Sequence, residues 1–114
     1  MVTQQEHDEA TVRSERMLAT VPHATRACYD PVQDRVHIDL SSGFTLSFDR
    51  RRAQGIEHAT PEQLTEVAIS PSGYGVRFPR VDADLWVPAM LEGVFGSKRW
   101  EAEWAASQRS NEAA

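Results

Sequence analysis

The chain has 114 residues, enough for one domain with one core and hardly enough for two. Its formal net charge of −5 argues against nucleic acid unless the few arginines cluster, and suits a basic protein partner better. The single cysteine, Cys28, excludes an internal disulfide and a cysteine-built zinc cage, so a reducing cytoplasm is the expected compartment.

The chain opens on "MVTQQEHDEATVRSER", polar and acidic, unlike a secretory signal or a transit peptide. No apolar run approaches the roughly 20 residues that a membrane-spanning helix needs, so a soluble protein with no membrane partner is expected. Residues 1–22 carry few large apolar side chains and read as a tail, flexible or helical, closed by Pro22. From Thr25 the period changes to two. "TRACY" reads as a strand and "DPVQDR" as a turn with Pro31 at its second position. In "RVHIDL", Val36, Ile38 and Leu40 alternate with polar residues; in "FTLSFD", Phe44, Leu46 and Phe48 do the same. Gly43 fits the hairpin loop between them. These segments predict an antiparallel meander with one buried and one wet face.

"RRRAQGIEHA" then leaves the sheet. "TPEQLTEV" predicts a short helix of one or two turns, with Thr60 as N-cap, Pro61 at the first position and Gln63 completing a capping box. "EVAIS" reads as a short strand or link with Val67 and Ile69 inward. "PSGYG" is a turn in which Gly73 and Gly75 supply backbone freedom, and "VRF" a brief strand stopped by Pro79. "VPAMLEGVF" predicts a short apolar helix with Pro88 near its start. Ser97 can cap a further helix, "KRWEAEWAASQR", ahead of an irregular "SNEAA". The fold class is thus α+β: a tail (1–22), a small domain (23–96), and a C-terminal helix with a frayed end (97–114).

Chemistry-bearing patterns are sparse. The histidines have no i,i+4 pairing, so a metal site would need His37 and His58 to meet Asp82 or Asp84 in space; solvent-facing roles are the simpler reading. Asp82 and Asp84 read as a polar turn before an apolar helix, where acidic groups are favoured. Ser70, Ser72 and Cys28 lack a nucleophile signature. No catalytic residue, metal or cofactor is therefore expected. Arg50, Arg51 and Arg52 form the one basic run, fit either for phosphates or for a charged edge that discourages sheet association. Trp100 and Trp104 lie four apart and share a helix face, which either packs over the sheet or docks a partner. Tyr74 and Trp86 flank the glycine corner and could share that partner surface.

The stretch "ATPEQLTEVAISPSGYGVRFPRVDADLWVPAMLEG" resembles the bacterial family known as domain of unknown function 2442. Members typically show a strand ending in Tyr-Asp, a hairpin, ATPEQ, a GxGxxWP corner and D-x-D leading into a helix. The equivalents here are Tyr29 and Asp30; Ser42, Gly43 and Phe44; Ala59 to Gln63; Gly73 to Pro79; then Asp82, Asp84 and Leu85 with Met90 and Leu91. Phe78 stands where many members carry Trp. The resemblance covers residues 24–93 and leaves out both tails.

It implies a small α+β fold with an antiparallel sheet, similar to the N-terminal domain of a larger helix-turn-helix protein, and no established enzymatic activity. Members often stand beside a second small protein in pairs that look like toxin and antitoxin. The expectation is a non-catalytic, antitoxin-like interaction protein that binds a basic partner or a second copy of itself. The alternative is a nucleic-acid-binding or autoregulatory protein using Arg50 to Arg52. The corner of Gly73, Gly75, Asp82 and Asp84 is expected to be architecture, with its rim open to a partner.

Overall fold

A computed structural model describes residues Val21 to Ala113. The expected tail therefore lies, up to residue 20, outside the described residues. The predicted meander forms as β1 (Ala24–Asp30), β2 (Arg35–Leu40) and β3 (Thr45–Asp49), an antiparallel sheet in the order β1-β2-β3. Alternation does the sorting: Val36, Ile38 and Leu40 are buried while the residues between them are half-exposed. Asp34 closes the β1–β2 turn in the left-handed conformation (φ 57°). Its carboxylate accepts hydrogen bonds from the Tyr29 hydroxyl and from Arg50 Nε at 3.0 Å.

Phe44 departs from the predicted inward stripe. It is 75% exposed, because β3 begins only at Thr45 and Phe44 belongs to the hairpin loop, its carbonyl accepting from Leu40 N–H at 2.9 Å. Its parity matches the stripe, but it lies beyond the reach of the core.

The second half of the domain adds a second sheet to the predicted meander. β4 (Ala68–Ile69), β5 (Gly75–Phe78) and β6 (Ala83–Trp86) form a second antiparallel sheet in the order β4-β5-β6. The segment expected to be a polar turn is thus half strand. A 3-10 turn over Pro79–Val81 ends at Asp82 in the left-handed conformation (φ 51°), and Asp84 already sits within β6 opposite Arg77. Then α1 (Val87–Leu91) begins, with Pro88 near its start as predicted.

The two sheets share one core. Phe78, Ile38, Ile56, Leu64, Val36, Val76 and Val87 are the largest fully buried side chains, and they come from both sheets, α1 and the linking loop. The Ala24 amide donates to the Gly73 carbonyl at 2.7 Å, tying the start of β1 to the corner before β5. Gly73 sits at φ +82°, and a Cβ there would lie 2.8 Å from His23 Cδ2, so no larger residue allows this approach. The outer edges of the pair of sheets are β3 on one side and β6 on the other.

"TPEQL" makes a single 3-10 turn, Glu62–Leu64, at the short end of the one or two turns expected, and the capping box is present. Thr60 N–H donates to Gln63 Oε1 at 2.9 Å and Gln63 N–H to Thr60 Oγ1 at 3.4 Å. Ser97 caps α2 (Lys98–Ala113), its Oγ accepting from Trp100 N–H at 3.1 Å. The helix continues to Ala113, through most of the "SNEAA" expected to be irregular. Among the described residues no helix is long and apolar enough to cross a membrane.

Candidate partner-binding cleft

An open cleft of about 370 Å³ runs beside β6. One wall is residues 82 to 86 in unbroken succession. Successive strand residues point to opposite faces, so a cleft lined by all of them tracks the strand's edge, not one of its faces. The opposite wall is made by Gln54, Gly55 and the segment 94–97.

That far wall is fixed by a reciprocal pairing. Gln54 N–H donates to the Phe95 carbonyl at 3.0 Å, and Ser97 N–H donates to Gln54 Oε1 at 2.8 Å. Gly96 allows the approach, since a Cβ there would come within 2.7 Å of the Trp100 ring and 2.9 Å of Gln54 Cβ. The floor is apolar, with Leu85 and Met90 buried beneath it. On the rim, Trp86 is 50% exposed and Val94 44%. Trp86 leans on the buried Tyr74, ring centroids 5.8 Å apart, which holds the indole in place. Tyr74 in turn donates its hydroxyl to the Val21 carbonyl at 3.2 Å.

The polar end of the cleft carries Asp82 and Asp84, both bound to one guanidinium. Arg77 Nη2 reaches Asp82 Oδ1 at 2.6 Å and Arg77 Nη1 reaches Asp84 Oδ2 at 2.8 Å. Two carboxylates against one cation leave a net negative charge at the rim. Both carboxylates hold the Arg77 proton more tightly, raising its pKa.

The corner expected from sequence is two separate places: Gly73 and Gly75 shape the turn into β5, whereas Asp82 and Asp84 lie toward the other end of the β5–β6 hairpin, on the cleft. Gly75 is packed against Ser70, whose Oγ accepts from Gly75 N–H at 2.9 Å, while Ser72 Oγ accepts from Tyr74 N–H at 3.2 Å. These two serines build the turn. Among the described residues no three or more of His, Cys, Asp and Glu gather to hold a metal ion, and His37 lies instead 3.7 Å from Asp30 on the first sheet.

The arginine run and the tryptophan pair lie elsewhere and belong to each other. Arg50 binds Asp34 and the Glu57 carbonyl, and Arg51 pairs with Asp49 at 2.9 Å. The Arg51 side chain and amide hold Asp49 at a pKa of about 2. Arg52 grips Glu101 through two parallel hydrogen bonds of 2.9 and 2.7 Å. Its guanidinium lies 5.1 Å from the Phe95 ring centre, 5.6 Å from Trp100 and 5.2 Å from Trp104. The two indoles stack on each other at 6.0 Å. The tryptophans form a half-buried pair folded over Arg52 that anchors α2.

Sequence reasoning missed the far wall, Gln54 and Val94 to Ser97, because it is made by residues some forty positions apart. It also missed β6 as a strand, although the alternation in "ADLW" (buried, exposed, buried, exposed) was there to be read.

Comparisons with known proteins agree with this architecture. The crystal structure of a protein of unknown function from Rhodospirillum rubrum ATCC 11170 is 43% identical, with a TM-score of 0.66, covering 69% of this chain and 95% of that one. The solution NMR structure of an uncharacterized protein from Chromobacterium violaceum is 33% identical, with a TM-score of 0.72, covering 90% of this chain and 94% of that one. No curated protein matches. The family model described as "Protein of unknown function (DUF2442)" matches residues 24–96, which span both sheets, α1 and the whole cleft up to Gly96. The chain belongs to that family.

Proposed function

We propose that the domain is a non-catalytic, antitoxin-like interaction module of the cytoplasm, whose cleft beside β6 receives a segment of a basic partner protein. The observation that carries this reading is the half-exposed Trp86, braced by Tyr74 and set between an apolar floor and an acidic rim. A pre-positioned indole beside a pocket is the usual form of a binding hot spot, since little entropy is lost when it is covered. A net charge of −5 over the whole chain adds a field that draws a basic partner in. The arginine run gives the competing nucleic-acid reading little support, because Arg50, Arg51 and Arg52 each face a carboxylate of this chain.

The test is affinity capture with the intact chain from cells that produce it, followed by calorimetry with the purified partner. Trp86→Ala is expected to weaken binding by roughly tenfold or more, about 1.4 kcal/mol, and added salt to slow association. A partner that binds the wild type and the Trp86→Ala chain equally well would overturn the assignment of the cleft.

A further inference from the structure

The register of the second sheet shows which backbone groups of β6 are unused. Val87 N–H donates to the Tyr74 carbonyl at 2.7 Å, so positions 74 and 87 are a hydrogen-bonded pair. Alternation then makes Val76 with Leu85 and Phe78 with Ala83 hydrogen-bonded pairs, and leaves Gly75 with Trp86 and Arg77 with Asp84 as the pairs without bonds. The amides of Asp84 and Trp86 and the carbonyl of Asp84 therefore point away from β5, toward the cleft. The Trp86 carbonyl is engaged, as the N-cap of α1. Among the described residues the three free groups have no partner.

The other outer edge is handled differently. In β3 the outward carbonyl of Ser47 accepts from Arg35 Nη2 at 3.0 Å, and the cleft of about 520 Å³ along Ser47–Asp49 is lined by Arg35, Arg51 and Arg52, with Trp104 and Gln108 of α2 as its far wall. Proteins usually blunt an edge strand in such ways. Among the described residues no side chain caps the outward groups of Asp84 and Trp86, and the cleft leaves space beside them, while Gly55 packs against Ala83 at the start of the strand.

Resting on the function proposed above, we propose that the cleft takes its partner by strand addition: an extended, lysine- or arginine-bearing segment pairs with the Asp84–Trp86 edge. Main-chain bonds to the Asp84 amide and carbonyl and the Trp86 amide would set the register. Side chains on one face of the added strand would meet Asp82 and Asp84, whose oxygens turned from Arg77 (Oδ2 and Oδ1) are open to a cation, and those beside Trp86 would be apolar. Charge selects this occupant over a second copy of the chain. An isologous pairing of β6 with β6 brings two acidic rims together, and like charges across strands repel.

The experiment uses the full chain, labelled with ¹⁵N, and peptides selected on it from a random peptide-display library. The expected result is enrichment of alternating basic and apolar peptides. Binding of such a peptide should slow hydrogen exchange at the Asp84 and Trp86 amides by roughly tenfold or more and leave Leu85, already bonded to β5, unchanged. Asp84→Pro removes one outward amide without touching the ladder to β5 and should abolish that binding. Asp84→Asn, which keeps the backbone, should keep the amide protection while losing preference for basic residues; it serves if the proline variant does not fold. Selected peptides that perturb the Trp86 indole without protecting these amides would overturn strand addition and leave the cleft reading intact. Peptides that bind away from the cleft, or none selected, would overturn both. Protection of the two amides in the peptide-free chain that rises with protein concentration would mean a second copy fills the edge, and would overturn the proposed occupant.

Discussion

The two outer strands of this molecule present the same kind of surface and meet opposite fates. β3 and β6 each turn a row of backbone groups outward. At β3, Arg35 caps the Ser47 carbonyl, and the cleft along Ser47–Asp49 is lined by Arg35, Arg51 and Arg52 with the half-buried Trp104 of α2 across it. At β6, the neighbouring loops are held back by their own pairing at Gln54 and Phe95, leaving a lined gap. The difference lies in where the cations go. Around β3 the guanidinium groups of Arg35, Arg50, Arg51 and Arg52 are engaged within the chain, while beside β6 Arg77 is shared by two aspartates. One edge faces a cleft lined by arginines, and the other a cleft whose rim sets two carboxylates against one guanidinium.

This contrast can be broken most forcefully at Arg52. Replacing it with alanine removes a bidentate pair with Glu101 and three ring contacts at once. A loss of about 2 kcal/mol in the docking of α2 is expected from these contributions together, discounted for their partial exposure. Tryptophan emission should shift to longer wavelength as Trp100 and Trp104 enter water, with the exchange protection of the sheets retained. An unshifted spectrum would mean that the tryptophan stack holds the helix without the arginine.

Acid provides a gentler version of the same perturbation. Glu101 is held below its ordinary range chiefly by its hydrogen bonds from Arg52, then by the Phe95 amide and the guanidinium's charge. A carboxylate whose folded pKa is depressed contributes stability above its unfolded value and loses it as pH falls through the folded one. The docking of α2 should therefore be constant above about pH 5, from an unfolded Glu near 4.3, and weaken progressively below. Asp49, held near a pKa of about 2 by Arg51, should yield later. A pH titration of tryptophan emission checks the order: release of α2 first, loss of the turn after β3 second.

Arg35→Ala should have the smallest effect, about 1 kcal/mol for its bonds to Ser47. It also uncovers one carbonyl of the β3 edge. Light scattering at rising protein concentration should show weak self-association absent from the wild type. If none develops, the Ser47 carbonyl needs no cap to keep that edge from pairing.

How legible these features were in the sequence depended on how local their causes were. β1 to β3 arise from alternation and tight turns, and the caps at Thr60 and Ser97 from side chains that reach only three residues along. The second sheet was harder. β4 has two residues and β6 four, and "DAD" contains the commonest turn formers, so local propensity pointed away from a strand that its pairing with β5 and its place over the core impose. Phe44 shows the converse, a residue with the right parity beyond the end of the core. Trp86 and the two aspartates were recognisable as features, yet the cleft they line needs Gln54 and Phe95 to meet, and nothing near either residue announces that pairing.

The grip of Arg52 on α2 has a further consequence for how this chain can be divided. The guanidinium and Phe95 lie inside the segment shared with the family, whereas Glu101, Trp100 and Trp104 lie beyond residue 96. The boundary of the domain therefore runs between a socket and its plug. Most of what shapes the β6 cleft stays on the socket side; the plug side adds the bond from Ser97 to Gln54 and Glu101, which accepts from Phe95 N–H at 3.0 Å. A different helix bearing a glutamate and an aromatic pair at the same spacing would fit the same socket. Position 97 is a natural splice point, at which one C-terminal helix can be exchanged for another while the binding edge is inherited.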